Sequence, residues 1–255
     1  MDKRKRKKPY LSTSDLARAA GVHANTVRRY VASGLIPPVE RSANGYRRFT
    51  FHHLDCLRVA CLIYRDTHPV RGIRASARPI LTSARAADWE GALKQSVAHL
   101  AFVRAEHKCA EAAASAIDAW QASSPVEEET LSLRTAETAR LLDVTIDMLR
   151  NWERNGLIDV PRHANGYRAY GAEEIQRLRV IRAVAQAGYS QMAILRMMTL
   201  LDKGELVDVR RALDTPRPED DVYVATDRWL TTLAQQEQIA ARLMVLVSEI
   251  ASRPP

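Results

Sequence analysis

Arg28, Arg29 and Tyr30 stand together in "NTVRRY", and Tyr46, Arg47 and Arg48 in "NGYRRF". About 120 residues later Arg150 and Trp152 stand in "MLRNWE", and Tyr167 and Arg168 in "NGYRAY". A guanidinium is a planar fork of N–H donors that matches phosphate oxygens, and a neighbouring aromatic ring offers either a contact face or a core plug. The same order of cations and rings, given twice, points to a polyanionic partner. Catalytic chemistry has no comparable foothold. The histidines are scattered, no Ser-His-acid set or phosphate-cradling glycine loop occurs, and Glu127, Glu128 and Glu129 sit in a polar stretch where solvation explains them. We expect neither an enzyme nor a cofactor.

The two clusters belong to a longer repeat. Leu11 to Ile36 lies over Leu133 to Ile158 without a gap, placing Thr13 on Thr135, Arg28 on Arg150 and Tyr30 on Trp152. One residue is lost before the second NGYR, and "LDCLRVACLI" then continues over "IQRLRVIRAV". The chain is an internal duplication of roughly 70-residue units.

In each copy the spacing predicts two short helices around a tight turn. Leu16, Ala19, Ala20 and Val22 share one side of the first, with Ser12, Thr13 or Ser14 as its cap, and Gly34 closes the second. Two such helices form a helix-turn-helix, whose second helix enters the major groove. The Asn-Gly pair favours a two-residue hairpin tip, with short strands Leu35 to Val39 and Tyr46 to Phe49 making a wing. Arg28 and Arg29 on the helix and Tyr46, Arg47 and Arg48 on the wing would then hold a nucleic-acid backbone at two points. Asn25 and Thr26 stand at the front of the first reading helix, Thr145 and Asp147 at the front of the second. Asn25 can pair with adenine, whereas Asp147 accepts only from a cytosine amine or repels phosphate.

Bulk composition agrees. Of the net +8, residues 1–50 hold +9, with twelve Lys/Arg against three Asp/Glu. A concentrated cationic face fits a phosphate backbone. Three cysteines without CxxC spacing, no long apolar run and no secretory leader lead us to expect a reducing, cytoplasmic setting.

"TVRRYVASGLIPP" followed by "GYRRF", and "MLRNWERNGLIDVP" followed by "GYRAY" and "IQRLRVIRAVAQAGYSQMAILRMM", resemble the MerR family of bacterial transcription regulators. The resemblance implies a winged helix-turn-helix, a long antiparallel helix joining two DNA-binding halves, and control of transcription by bending and untwisting a promoter for RNA polymerase. It assigns DNA contacts to Arg28, Arg150, Tyr30, Trp152, Tyr46, Arg47, Tyr167 and Arg168, with core packing as the alternative for Tyr30 and Trp152. Ordinary members carry one such unit and form homodimers, whereas this chain has two. Metal-sensing members place cysteines near the ends of the long helix. Here Cys109 stands alone inside it, and the His52, His53, Cys56 set is matched in the second copy by Glu173, Glu174 and Arg177, so no metal site is expected.

The fold class expected is mainly α, two winged helix-turn-helix domains each followed by a long helix, the long helices pairing as an antiparallel coiled coil. The boundaries read as a basic arm over 1–9, a first domain over 10–82, a long helix over 83–121, a linker over 122–131, a second domain over 132–220 and a second long helix over 221–255. Trp89, Val103, Ala110 and Ile117 recur on one seven-residue grid, and Leu233, Ala240 and Val247 on another. A helix of about 38 residues carries the chain nearly 60 Å outward, and only antiparallel return lets a short linker suffice. The reading is a single-chain pseudo-dimer, with a four-headed homodimer as its competitor. Non-identical heads then imply an asymmetric operator. Trp89, Trp120 and Trp229 are candidates to line a pocket for a small apolar effector, or else fill the seam ends. The rival function is an architectural DNA-bending protein without a specific promoter. With five residues after Ile250, no appended effector domain is expected.

Overall fold

The computed structural model describes residues 10–64, 72–122, 132–203, 208–215 and 228–253. The expected basic arm, residues 123–131 of the linker and the stretches 204–207 and 216–227 lie outside them. The described residues form α1 (Thr13–Ala20), α2 (Ala24–Ala32), α3 (Phe51–Ile63), α4 (Ile73–Arg85), α5 (Trp89–Ala122), α6 (Thr135–Leu141), α7 (Ile146–Arg154), α8 (Ala172–Gln186), α9 (Gln191–Asp202), α10 (Val209–Asp214) and α11 (Trp229–Ala251). The protein is mainly helical, as the fold class required. None of these helices is long and apolar enough to cross a membrane. The chain divides into two compact units, residues 1–104 with 236–255, and residues 105–235.

In the first unit, Ser12 caps α1 through a reciprocal bond set with Asp15, and Gly21 ends it at φ 66. His23 caps α2 by accepting from the Asn25 amide through Nδ1. Leu35 N then donates to Tyr30 O at 2.9 Å across the left-handed Gly34, which stops the helix. The buried side of α1 is Leu16 and Ala17, while Ala19 is exposed, contrary to the expected stripe. Leu16, Val27, Ile36, Phe49, Leu57 and Ile80 are at most 2% exposed and belong to one core. That core also contains Ala92 of α5 and Leu243 and Val247 of α11.

The first long helix does not run over 83–121. Residues 83–85 finish α4, Ala87 takes φ 60, and α5 starts at Trp89. The reason is a cap: the Asp88 carboxylate accepts from the Gly91 amide at 2.8 Å. A Cβ at Gly91 would stand 2.0 Å from that carboxylate, so any other residue would push the Asp88 side chain out of its capping position. Along α5 the grid residues Val103, Ala110 and Ile117 are buried and Trp89 is half-buried, and Ser96, which falls on the same grid, is buried with its hydroxyl donating to Leu93 O at 2.7 Å. Arg104 of α5 and Glu237 of α11 form an ion pair at 2.8 Å.

The second unit repeats the head with altered chemistry. The Glu137 carboxylate accepts from Arg134 N at 2.7 Å at the start of α6. Asp143, at φ 49, occupies the place of Gly21, and Thr145 caps α7 by accepting from Met148 N. α8 and α9 are held together by an Arg177–Asp202 ion pair. The buried Arg196 donates to Ala212 O at 2.8 Å, fastening α9 to α10. Arg210 of α10 reaches Glu111, Asp118 and Ser115 on the second half of α5. Tyr189 donates its hydroxyl to Ala110 O, and Trp229 its Nε1–H to Ala187 O.

Candidate nucleic-acid interface

The wing forms, but not in the expected register. Leu35 to Val39 does not pair as a strand. Pro37 and Pro38 have no N–H to give a ladder. Instead Arg41 pairs with Arg47 and Leu11 with Phe49, as isolated antiparallel bridges. The tip is not a two-residue turn either. Only Gly45 takes a positive φ, 78°, with Gly45 N donating to Ser42 O and Ser42 N to Tyr46 O, both at 2.8 Å. This is a three-residue tip with a glycine bulge, the alternative that Asn-Gly also serves. The second wing is built alike, with Arg162 opposite Arg168 and Gly166 at φ 81. A residue type missed in the sequence secures both tips: Arg41 Nη1 donates to Gly45 O at 3.0 Å and Arg162 Nη1 to Gly166 O at 3.1 Å. Their equal offset from each NGYR was the available signal.

The predicted contacts separate into outward and inward groups. Tyr46 and Tyr167, at 76% and 69% exposure, stand out from the wing tips. Asn25, Arg28, Arg29, Asp147 and Arg150 are exposed, and Thr26 half-buried, on the two reading helices. Thr145 is exposed and its hydroxyl already serves the cap. Tyr30 and Trp152 are core aromatics, 6% and 2% exposed. Burial pushes the Tyr30 phenol above its ordinary value, and Tyr64 packs edge-on against it.

The arginines differ in company. Arg28 Nη1 donates to the neutral Asn25 Oδ1 at 2.7 Å, whereas Arg150 lies 3.6 Å from the Asp147 carboxylate. The half-buried Arg47 makes no hydrogen bond or ion pair among the described residues. Its counterpart Arg168 donates to Glu153 at 2.7 Å, a bond that holds the guanidinium above its usual range. Arg48 lies over the Tyr10 ring, 3.7 Å from its centroid. Glu153 was also missed. The signal was a break in the repeat, since Val31 stands at its position in the first copy.

The remaining candidates take structural places. His53 is buried, bonded to Thr50 and 3.1 Å from Pro38 O. Cys56 accepts burial beside His52, which pushes its thiol up to about 12. Among the described residues no group of three or more His, Cys, Asp or Glu could hold a metal ion. Trp89 packs edge-on against His52 in the first unit. Trp229 is fully buried in the second, and Trp120 is half-buried there.

A capped pair of helices with exposed arginines on the second, and a glycine-tipped wing with an exposed tyrosine, define a helix-turn-helix DNA-binding regulator, present twice. Comparison with known proteins gives the family. A model described as "MerR family regulatory protein" matches residues 12–49, and one described as "MerR HTH family regulatory protein" matches residues 133–201. The chain is 30% identical over 105 residues to the "Probable heavy metal-dependent transcriptional regulator" of Haemophilus influenzae, covering 41% of this chain and 73% of that protein. It is 40% identical over 45 residues to the "HTH-type transcriptional regulator CueR" of Escherichia coli O6:H1 and O157:H7, covering 18% of this chain and 33% of each relative. No solved structure matches significantly. The chain belongs to the MerR family, carries two of its units, and has DNA as its partner.

Proposed function

We propose that the protein is a sequence-specific, cytoplasmic transcriptional regulator that works as a single-chain pseudo-dimer, bending and untwisting promoter DNA in the presence of RNA polymerase. Its expected domains are two DNA-binding halves, 10–82 and 132–220, joined through antiparallel pairing of the long helices. One observation carries the reading: the C-terminal part of α11 lies in the core of the unit that holds the first head, through Leu243, Val247 and an Arg253–Asp55 bond of 2.9 Å. A chain whose end completes the fold of its beginning supports two heads held by one molecule. Two rigid heads at fixed separation can impose twist on the DNA between them, at an energy set by sequence neither touches.

In this reading Asn25, Thr26, Arg28, Arg29, Tyr46, Arg47 and Arg48 serve one half-site, and Thr145, Asp147, Arg150, Tyr167 and Arg168 the other. Tyr30 and Trp152 support them from the core. A small apolar effector would act at Trp89 or at Trp120 and Trp229. Sedimentation should give a free mass of 28.6 kDa and one chain per operator. Site selection should return an asymmetric operator, and permuted fragments should migrate as bent DNA. Twice the chain mass, or a perfect inverted repeat, would overturn the pseudo-dimer.

A further inference from the structure

The two heads carry equal numbers of arginines in unequal company. Residues 11–50 hold six arginines and two carboxylates, Asp15 and Glu40. Residues 133–171 hold six arginines and five carboxylates, Glu137, Asp143, Asp147, Glu153 and Asp159. Two of these face the predicted DNA contacts directly: Asp147 is 3.6 Å from Arg150, and Glu153 is 2.7 Å from Arg168 and 3.7 Å from Arg162. The first copy has Asn25 and Val31 at those two positions. The second head is internally neutralised where the first is not.

Its leading turn is also apolar. Ile146 and Met148 are 37% and 41% exposed at the start of α7, where α2 offers Ala24 and Thr26. Apolar area held in water at the front of a reading helix gains free energy only when a partner covers it. In the major groove the one apolar feature on a base edge is the thymine C5-methyl.

We propose that Ile146 and Met148 read thymine methyl groups, with Asp147 accepting from a cytosine amine, so that the second half-site is chosen by apolar contact rather than by charge. This rests on the DNA-regulator reading above. DNA fits as the occupant because α7 stands in register with α2, and the exposed Arg150 and Arg154 share its length with the apolar turn. The attraction of this head should also be less sensitive to salt than that of the first, because fewer of its cations are free to replace counterions.

The test uses the full chain and a variant, Ile146→Ser with Met148→Ser, which removes the apolar side chains at two exposed positions without leaving a methyl group to meet a base. Circular dichroism checks that the variant keeps its helices. Site selection with both proteins identifies the second half-site as the one whose preference changes. Deoxyuridine is then substituted for thymidine, which deletes only the methyl. The expected result is a loss of about fourfold in wild-type affinity per methyl removed there, the effect of one buried methyl group. The variant should show no such loss. Equal sensitivity of wild type and variant to deoxyuridine would overturn the proposal. So would a footprint confined to one half-site, which would put another macromolecule on α7 and leave the DNA-regulator reading standing. Failure to select any sequence would remove that reading, and this inference with it.

Discussion

Gly21 and Asp143 occupy one position in the two heads, both in left-handed backbone, at φ 66 and φ 49. Glycine enters that region without steric cost, while an L side chain is strained there, an aspartate less than most. Asp143 recovers little through Arg182, which is 3.8 Å away across a 95% exposed carboxylate. Asp143→Gly should therefore stabilise the second unit by about 0.5–1 kcal/mol, and Gly21→Asp should destabilise the first by a similar amount. Urea unfolding midpoints of the two variants would measure both. The wing arginines differ in the same pairwise way. Arg47 is free to meet a phosphate, whereas Arg168 must leave Glu153 to do so. Arg47→Ala should flatten the slope of log affinity against log salt by about 0.9, the share of one phosphate contact. Arg168→Ala should change that slope less, as read by fluorescence anisotropy across a salt series.

At the level of elements, α4 and α5 are fastened by His99, a buried imidazole whose Nδ1 lies 2.8 Å from Ser76 Oγ. Burial holds the His99 pKa below its ordinary value, so the unfolded chain takes up a proton at higher pH than the folded one. Stability should then rise with pH between the lowered folded value and about 6.5, and level off above it. His99→Leu should flatten that rise in thermal melts taken above the carboxylate range, because Ser76 keeps its bond to Ile73 O. Elements fixed by local chemistry were legible in the sequence: the Ser12 cap, the Gly34 stop and the place, though not the length, of both NGYR tips. Errors arose where a local signal was overridden or unread. Pro37 and Pro38 displaced the wing pairing, and the Asp88 cap moved the start of the long helix from 83 to Trp89. The Glu153–Arg168 bond joins a helix to a wing 15 residues on, a meeting that no periodicity encodes. The seven-residue grid marked Val247 as a seam position, but not whose core it would enter.

That core bears on the whole molecule. The first unit is made of residues 1–104 and 236–255, so it cannot be complete until residues 236–255 have been made. Leu243 and Val247 are 1% and 0% exposed in the cluster that holds Leu16, Val27 and Phe49. Deleting either side chain should cost about 2–4 kcal/mol through lost transfer energy and the cavity left behind. The Asp55 carboxylate, 6% exposed as a residue, takes a bond from Arg253 at 2.9 Å and has Arg58 at 3.8 Å. Truncation after residue 235 removes both leucine and valine contacts and leaves Asp55 with Arg58 alone. A loss of that size is a large part of the stability of an ordinary domain. The truncated chain should accordingly lose amide protection throughout α1 to α4 while α6 to α10 keep theirs, a contrast that hydrogen exchange read by mass spectrometry resolves peptide by peptide. A separately made peptide spanning 228–255 should restore protection to α1–α4 when added in excess, since binding to the folded form alone shifts the equilibrium towards it. Retained protection without the peptide would mean that the first head folds unaided, and the return of α11 would then be packing added to a finished domain rather than part of its core.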